Sequence, residues 1–295
     1  MKKLLTAIAL LFTLSVVLPS YSSANVGINE KFGLPIVVYG GNLSADEKAS
    51  VAESLDVAGE ADVEEIEVTG QDLIKYIKDG DSRANMYSSA KITRKDEGAG
   101  LVIEIVTPEN ITQVTSEMYG NAMLTAGIEN ATVEVAAPKA VTGHSALVGI
   151  YKAYEVNGEE LDPERTDVAN DELTVATELA DGGVEDAKVS ELLTEIKKQI
   201  AEQNPASRED VEQIVEEQLS KLQIELSPED RQLLVDLMDR IRKLDIDFSK
   251  WSTQLEDLSK TIEDKIGKVV NDEGFWESVK TFFRNLADTV RGWMN

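Results

Sequence analysis

The feature that most constrains this chain is a change of hydrophobic period near Gly182-Gly183. Before it, short β-like runs alternate with helical stretches and turn signals; after it, the pattern is helical almost without interruption. The expected fold class is therefore α+β, a mixed α/β module over 25–183 followed by an all-α helical hairpin or bundle over 184–295. The two parts also differ in charge density, with 11 basic and 30 acidic residues in the first against 16 and 25 in the second.

In the first part, Ile36 to Tyr39 before Gly40-Gly41 reads as a buried strand, and Ser44 with Glu47 forms a capping box that opens a helix to about Val57. Glu65 to Val68 alternates with the strand period, and Thr69 caps a helix through Ile77. The runs Ser89 to Arg94 and Leu101 to Val106, joined by Asp96-Glu97-Gly98, suggest a hairpin. A helix over Thr112 to Ala126 stops at Gly127, a strand over Thr132 to Val135 ends at Pro138, and Thr142 opens a helix to about Tyr154. The acidic stretch Glu155 to Glu172 reads as a solvated connection or a frayed helix start.

About five helical segments follow in the second part. Ser207 stands three residues before Asp210, and Ser227 precedes Pro228, whose missing N–H costs little at a first helical position. Leu234, Leu237, Ile241 and Leu244 form one apolar stripe, and Trp251, Leu255, Leu258, Ile262, Ile266 and Val269 form the next. These repeats are short, so helical hairpins fit better than a long coiled coil.

The N-terminus has the three parts of a cleavable export signal. Lys2 and Lys3 precede the apolar run Leu4 to Leu18, which is shorter than the roughly 20 residues a spanning helix needs. Pro19 and Ser20 break the run, and Ser22-Ser23-Ala24 offers small side chains to a peptidase, so residues 1–24 are expected to be removed. Secretion to the extracytoplasmic cell envelope is the localisation this implies. The chain has no cysteine, which excludes disulfides, thiol catalysis and thiolate metal sites. Its formal charge of −26 makes it an acidic protein that repels nucleic acid.

His144 is the only histidine, so a paired-histidine metal site cannot be built. Gly143-His144-Ser145-Ala146-Leu147 resembles a nucleophile elbow, but Leu147 stands where the second glycine belongs. Ser88-Ser89-Ala90-Lys91 matches a Ser-x-x-Lys pattern but leads into a strand rather than a helix, and no Lys-Thr-Gly segment follows. Asp79-Gly80-Asp81 is too short for a calcium loop, and no glycine-rich phosphate loop occurs. No catalytic residue, cofactor-binding residue or metal ligand is assigned, and no cofactor is expected. The final segment is the distinctive one: Phe275, Trp276, Val279, Phe282, Phe283, Leu286, Val290 and Trp293 recur at helical steps and form an aromatic face beside Lys280, Arg284 and Arg291. Such a face either closes the helical core or contacts a membrane outer leaflet or an envelope protein.

Four segments, Ser88 to Ile92, Gly100 to Thr112, Tyr119 to Pro138 and Val141 to Glu155, resemble the YpuA-like family of predicted secreted proteins of Gram-positive bacteria. The resemblance implies an extracytoplasmic protein of unknown function and brings no reaction, ligand or site residue. The expected role is a non-enzymatic binding or structural module of the envelope; the competing expectation is a wall-glycan hydrolase using an Asp/Glu pair.

Overall fold

The computed structural model describes residues 33–270, so the expected signal peptide and the aromatic face from Phe275 to Trp293 lie outside the described residues. Five strands form one mixed sheet: β1 (Ile36–Gly40), β2 (Glu64–Val68), β3 (Ser89–Arg94), β4 (Leu101–Ile105) and β5 (Ala131–Ala136), in the order β2-β1-β3-β5-β4. β1 pairs with β2, and β4 with β5, in parallel; β3 runs antiparallel to both β1 and β5. The first parallel pair is joined through α1 (Ala45–Ser54), and the second through α3 (Ser116–Ala126).

The strand period sorts the sheet's side chains onto two faces. Ile36 and Val38 of β1 join the main core, whereas Val37 and Tyr39 pack with Val51 of α1 and Leu55, which caps it, in a smaller cluster. Helix α4 (His144–Val156) crosses the main-core face so closely that a Cβ on Gly149 would lie 3.2 Å from Val38 Cγ1. A methyl group there would require Val38 to give by a few tenths of an ångström.

The expected hairpin does not form. β5 lies between β3 and β4, because its buried positions Ala131, Val133 and Val135 take the centre of the sheet while β4 keeps an exposed face with Val102 and Glu104. The acidic stretch is also more ordered than a connection: from Pro163 it becomes α5 (Pro163–Asp181), with Asp162 accepting from the amides of Glu164 and Arg165 and with Val168, Ala169 and Leu173 buried. Charge alone does not expose a helix when its other face is apolar.

Four helices follow within the described residues: α6 (Asp186–Gln203), α7 (Arg208–Leu222), α8 (Pro228–Lys243) and α9 (Phe248–Val270). Ser207 and Ser227 cap α7 and α8 as their sequence signatures require. No helix of the described residues is long and apolar enough to cross a membrane.

Helix α3 joins the sheet to the helical part. Every residue from Glu117 to Ala126 is buried, and α3 packs against β4, α5, α6 and α9. One continuous apolar cluster accordingly runs from Ile36 and Val133 of the sheet to Leu192, Leu237 and Leu255 of the helices. Arg165 of α5 closes the end of α3, donating from Nε to Thr125 O at 2.8 Å and from Nη2 to Leu124 O at 3.0 Å.

A helix buried all round must find partners for its polar side chains. Lys197 of α6 and Glu172 of α5 form an ion pair of 2.6 Å, and both are essentially inaccessible to solvent. Lys197 Nζ also donates to Asn121 O at 3.0 Å, the Thr125 hydroxyl donates to Glu172, and Asn121 Nδ2 reaches Thr194 Oγ1 at 3.0 Å. Burial pulls the Lys197 ammonium below its ordinary pKa, and the charge and hydrogen bond of Glu172 oppose that shift. Lys197→Met should therefore leave an uncompensated carboxylate and destabilise the fold by about 3–5 kcal/mol in urea unfolding. The double replacement Lys197→Met with Glu172→Leu should cost less than this single one, because it removes both charges together.

Candidate functional site

A second polar group assembles where two distant segments meet. The segment 77–88, which follows α2 (Gly70–Tyr76), is tied to the end of β1: Met86 N donates to Asn42 Oδ1 at 2.7 Å and Asn42 N to Met86 O at 3.1 Å. Its start is tied to α5, with Lys78 N donating to Asp167 Oδ1 at 2.8 Å and the Thr166 hydroxyl to Tyr76 O at 3.1 Å. The facing wall is the start of α4. Val141 N donates to Asn110 O at 2.8 Å and Thr112 N to Val141 O at 2.9 Å, which sets the approach to that helix.

Gly143 caps α4 with φ 107°, a conformation that side chains rarely adopt. Its carbonyl accepts from the buried Tyr119 hydroxyl at 2.7 Å and from Ser88 Oγ at 3.0 Å. A Cβ at Gly143 would lie 2.8 Å from that Tyr119 oxygen, so space and backbone angle both require glycine. Ser145 adds a further tie: its Oγ accepts from Ser88 N at 3.1 Å and lies 2.6 Å from Ser88 Oγ.

Between these walls lies a cleft of about 430 Å³. Leu73, Ile77, Met86 and Val148 supply apolar surface, and Asn85, Tyr87, Thr142, His144 and Asn170 supply polar groups. This is the combination that small-ligand sites use, apolar area with a few convergent hydrogen-bonding groups. Tyr87 is held in place by Lys139, whose Nζ sits 3.9 Å from the ring centroid. No lysine or arginine lines the cleft; Asp79 and Asp81 do, and Asp81 is paired with Arg83 at 2.9 Å.

His144 is half-buried at the cleft, and its ring nitrogens have no hydrogen-bond partner among the described residues. Burial lowers its pKa below the ordinary 6.5, so the neutral ring offers one donor and one acceptor near neutrality. It is not coupled to Ser145, whose hydroxyl is engaged with Ser88. The Ser-x-x-Lys pair is likewise separated. Three residues apart in extended chain, Ser88 turns toward Gly143 and Ser145, whereas Lys91 meets Glu134 at 2.7 Å and Leu55 O at 3.0 Å near α1.

The sequence motifs at His144-Ser145 and Asp79 to Asp81, to which no role was assigned, both line this cleft, and Ser88 reaches it only through its hydrogen bond to Ser145. Sequence reasoning missed Asn85, Tyr87 and Asn170, which carry no motif and meet only through tertiary packing. No group of three His, Cys, Asp or Glu side chains among the described residues is arranged to hold a metal ion.

A second, larger cleft of about 800 Å³ lies between the end of α2 and the start of α5. Four carboxylates line it, Asp79, Glu164, Asp167 and Asp171, and the last two are engaged by Arg240 of α8. Glu191, held above its ordinary pKa by burial and by Glu195 and Glu263, lines neither cleft.

Residues 39–258 match the family model described as a protein of unknown function, DUF1002. The chain is also 32% identical over 299 aligned positions, covering 98% of both chains, to the uncharacterized protein YpuA of Bacillus subtilis strain 168. No solved structure matches it.

The lone histidine makes its titration directly readable. Its single imidazole signal in proton NMR should have a midpoint below about 6.5. Because the folded state disfavours the proton, the contribution of His144 to stability is complete above the unfolded-state pKa and is lost as pH falls through the folded-state value. His144→Gln should flatten that part of the stability profile measured by urea unfolding.

Proposed function

We propose that this chain, which belongs to the DUF1002 family, is a secreted binding module of the cell envelope that acts without catalysing a reaction. The observation that carries the reading is the cleft beside His144, where an imidazole with no partner among the described residues and two side-chain amides stand next to an apolar surface. Such a cleft suits an uncharged or cationic ligand with one apolar face, such as a sugar or a short peptide. The absence of lysine and arginine from its lining disfavours a polyanionic ligand.

The acidic groups of the larger cleft are used in a way that disfavours the hydrolase alternative. Glycoside hydrolysis needs one carboxyl kept protonated beside another that is ionised. Asp167 and Asp171 are both ion-paired with the Arg240 guanidinium, so both are committed to a contact between α5 and α8. The envelope location rests on the Lys2-Lys3, Leu4 to Leu18 and Ser22 to Ala24 pattern. The aromatic face at Phe275 to Trp293 is offered as a contact for the membrane outer leaflet or an envelope protein, and the acidic surface argues against nucleic acid as a partner.

Fractionation of cells expressing the full chain tests the location: a processed polypeptide starting at Asn25 should be found outside the cytoplasmic membrane, and an unprocessed one in the cytosol would refute it. For the cleft, soluble peptidoglycan fragments should shift the His144 imidazole signal saturably, with Thr142→Trp at the mouth abolishing the shift. Turnover of those fragments by the purified protein would instead support the hydrolase.

A further inference from the structure

The sheet has two edges, and they are treated differently. β2 carries Glu64, Glu65 and Glu67, and Lys48 of α1 lies within 3.7 Å of the carboxylates of Glu65 and Glu67. Edge charge of this kind discourages pairing with another chain. β4, Leu-Val-Ile-Glu-Ile, has neither proline nor lysine, and Val102 on it is 57% exposed. Natural edge strands are rarely left this apolar without a reason.

Hydrogen bonding shows which backbone groups are free. Val106 N donates to Val135 O at 2.9 Å and Gly100 O accepts from Ala131 N at 3.1 Å, so the even-numbered residues of this segment bond inward to β5. By alternation, the amides and carbonyls of Leu101, Ile103 and Ile105 point outward. No backbone hydrogen bond from another described segment reaches them.

Beside this edge run two depressions of about 160 and 500 Å³ that share Ile103, Ser116 and Glu117. Together they form a groove along β4, with Leu258 of α9 lining the smaller part and Val114, before α3, lining the larger. No lysine or arginine lines either part, whereas Glu117 and Asp257 do, and Glu104 borders the larger part from β4 with its side chain on the strand's other face; Lys260 stands 3.7 Å from Asp257.

We propose that β4 and this groove bind an extended peptide with alternating apolar and basic side chains, which adds to the sheet as a sixth strand. Main-chain pairing with Leu101, Ile103 and Ile105 would supply affinity. Because strand side chains alternate, the peptide's apolar residues would enter the groove while its basic residues meet Glu104 on the opposite face. The charge selects this partner over a second copy of the chain, which would bring another strongly acidic surface to the same edge.

The test uses the whole mature protein and a fluorescein-labelled peptide, acetyl-Lys-Val-Lys-Val-Lys-Val-Lys-amide, read by fluorescence anisotropy at low salt. Saturable binding is expected, weakened about tenfold or more by the exposed charge reversal Glu104→Lys. Methylating alternate backbone nitrogens of the peptide removes ladder donors without changing the side chains and should abolish binding. Ile103→Pro should act similarly, since proline is tolerated on an edge strand whose N–H faces outward. Absence of binding, equal binding of the methylated peptide, or equal binding of a peptide with Glu replacing each Lys would overturn the proposal. So would a dimer in sedimentation that Ile103→Pro dissolves, which would make a second copy the occupant. A carbodiimide crosslink between Glu104 and Lys280 within one chain would likewise replace the foreign peptide with the chain's own final segment.

Discussion

Helix α3 is enclosed by the sheet on one side and by α5, α6 and α9 on the others, and much else follows from that enclosure. As the crossover between the parallel strands β4 and β5 it is bound to the sheet, so whatever packs on its outer face is bound to the sheet as well. The helical part therefore shares one apolar cluster with the α/β part. Asn121 and Thr125 on α3 could be buried only because Lys197 and Glu172 bring complementary charge and hydrogen-bonding groups to them. Such a network adds specificity of packing rather than net stability: each member tolerates only a neighbour that completes it.

The cleft depends on the same scaffold. Tyr119 of α3 holds the carbonyl of Gly143 and so fixes where α4 begins, while Thr166 and Asp167 of α5 fix the start of the opposite wall. One wall is a loop segment and the other the start of α4, and both are held by rigid elements, an arrangement that gives a binding site a defined shape. His144 is then exposed to the cleft rather than packed into the core, because Gly143 and Ser145 on either side of it make the anchoring contacts.

Several elements were legible from local chemistry. The capping residues Ser44, Ser207 and Ser227 each open a helix, since a cap acts on the amides two or three residues ahead of it and needs nothing distant. The failures are those in which distant chain competes. Residues 89–94 and 101–106 have the pattern of a hairpin, yet β5, thirty residues further on, pairs with both of them instead. Acidic residues of α5 disguised a helix whose Val168, Ala169 and Leu173 are core, because composition averages over faces that packing keeps apart.

The amino-acid sequence by itself determined the α+β class, the helix starts at Ser44, Ser207 and Ser227, and the exclusion of thiol and paired-histidine chemistry, since periodicity, capping and residue inventory are local or compositional properties; it put the onset of uninterrupted helix near Gly183, whereas the structure is helical from α4 and α5 onward. Only the tertiary structure decided that β5 separates β3 from β4, that Lys197 meets Glu172, and that Asn85, Tyr87 and Asn170 join His144 around one cleft. These are contacts between residues far apart in the chain. Their partners are chosen by which arrangement buries the most apolar surface while leaving the fewest polar groups unpaired, a comparison that no single segment contains.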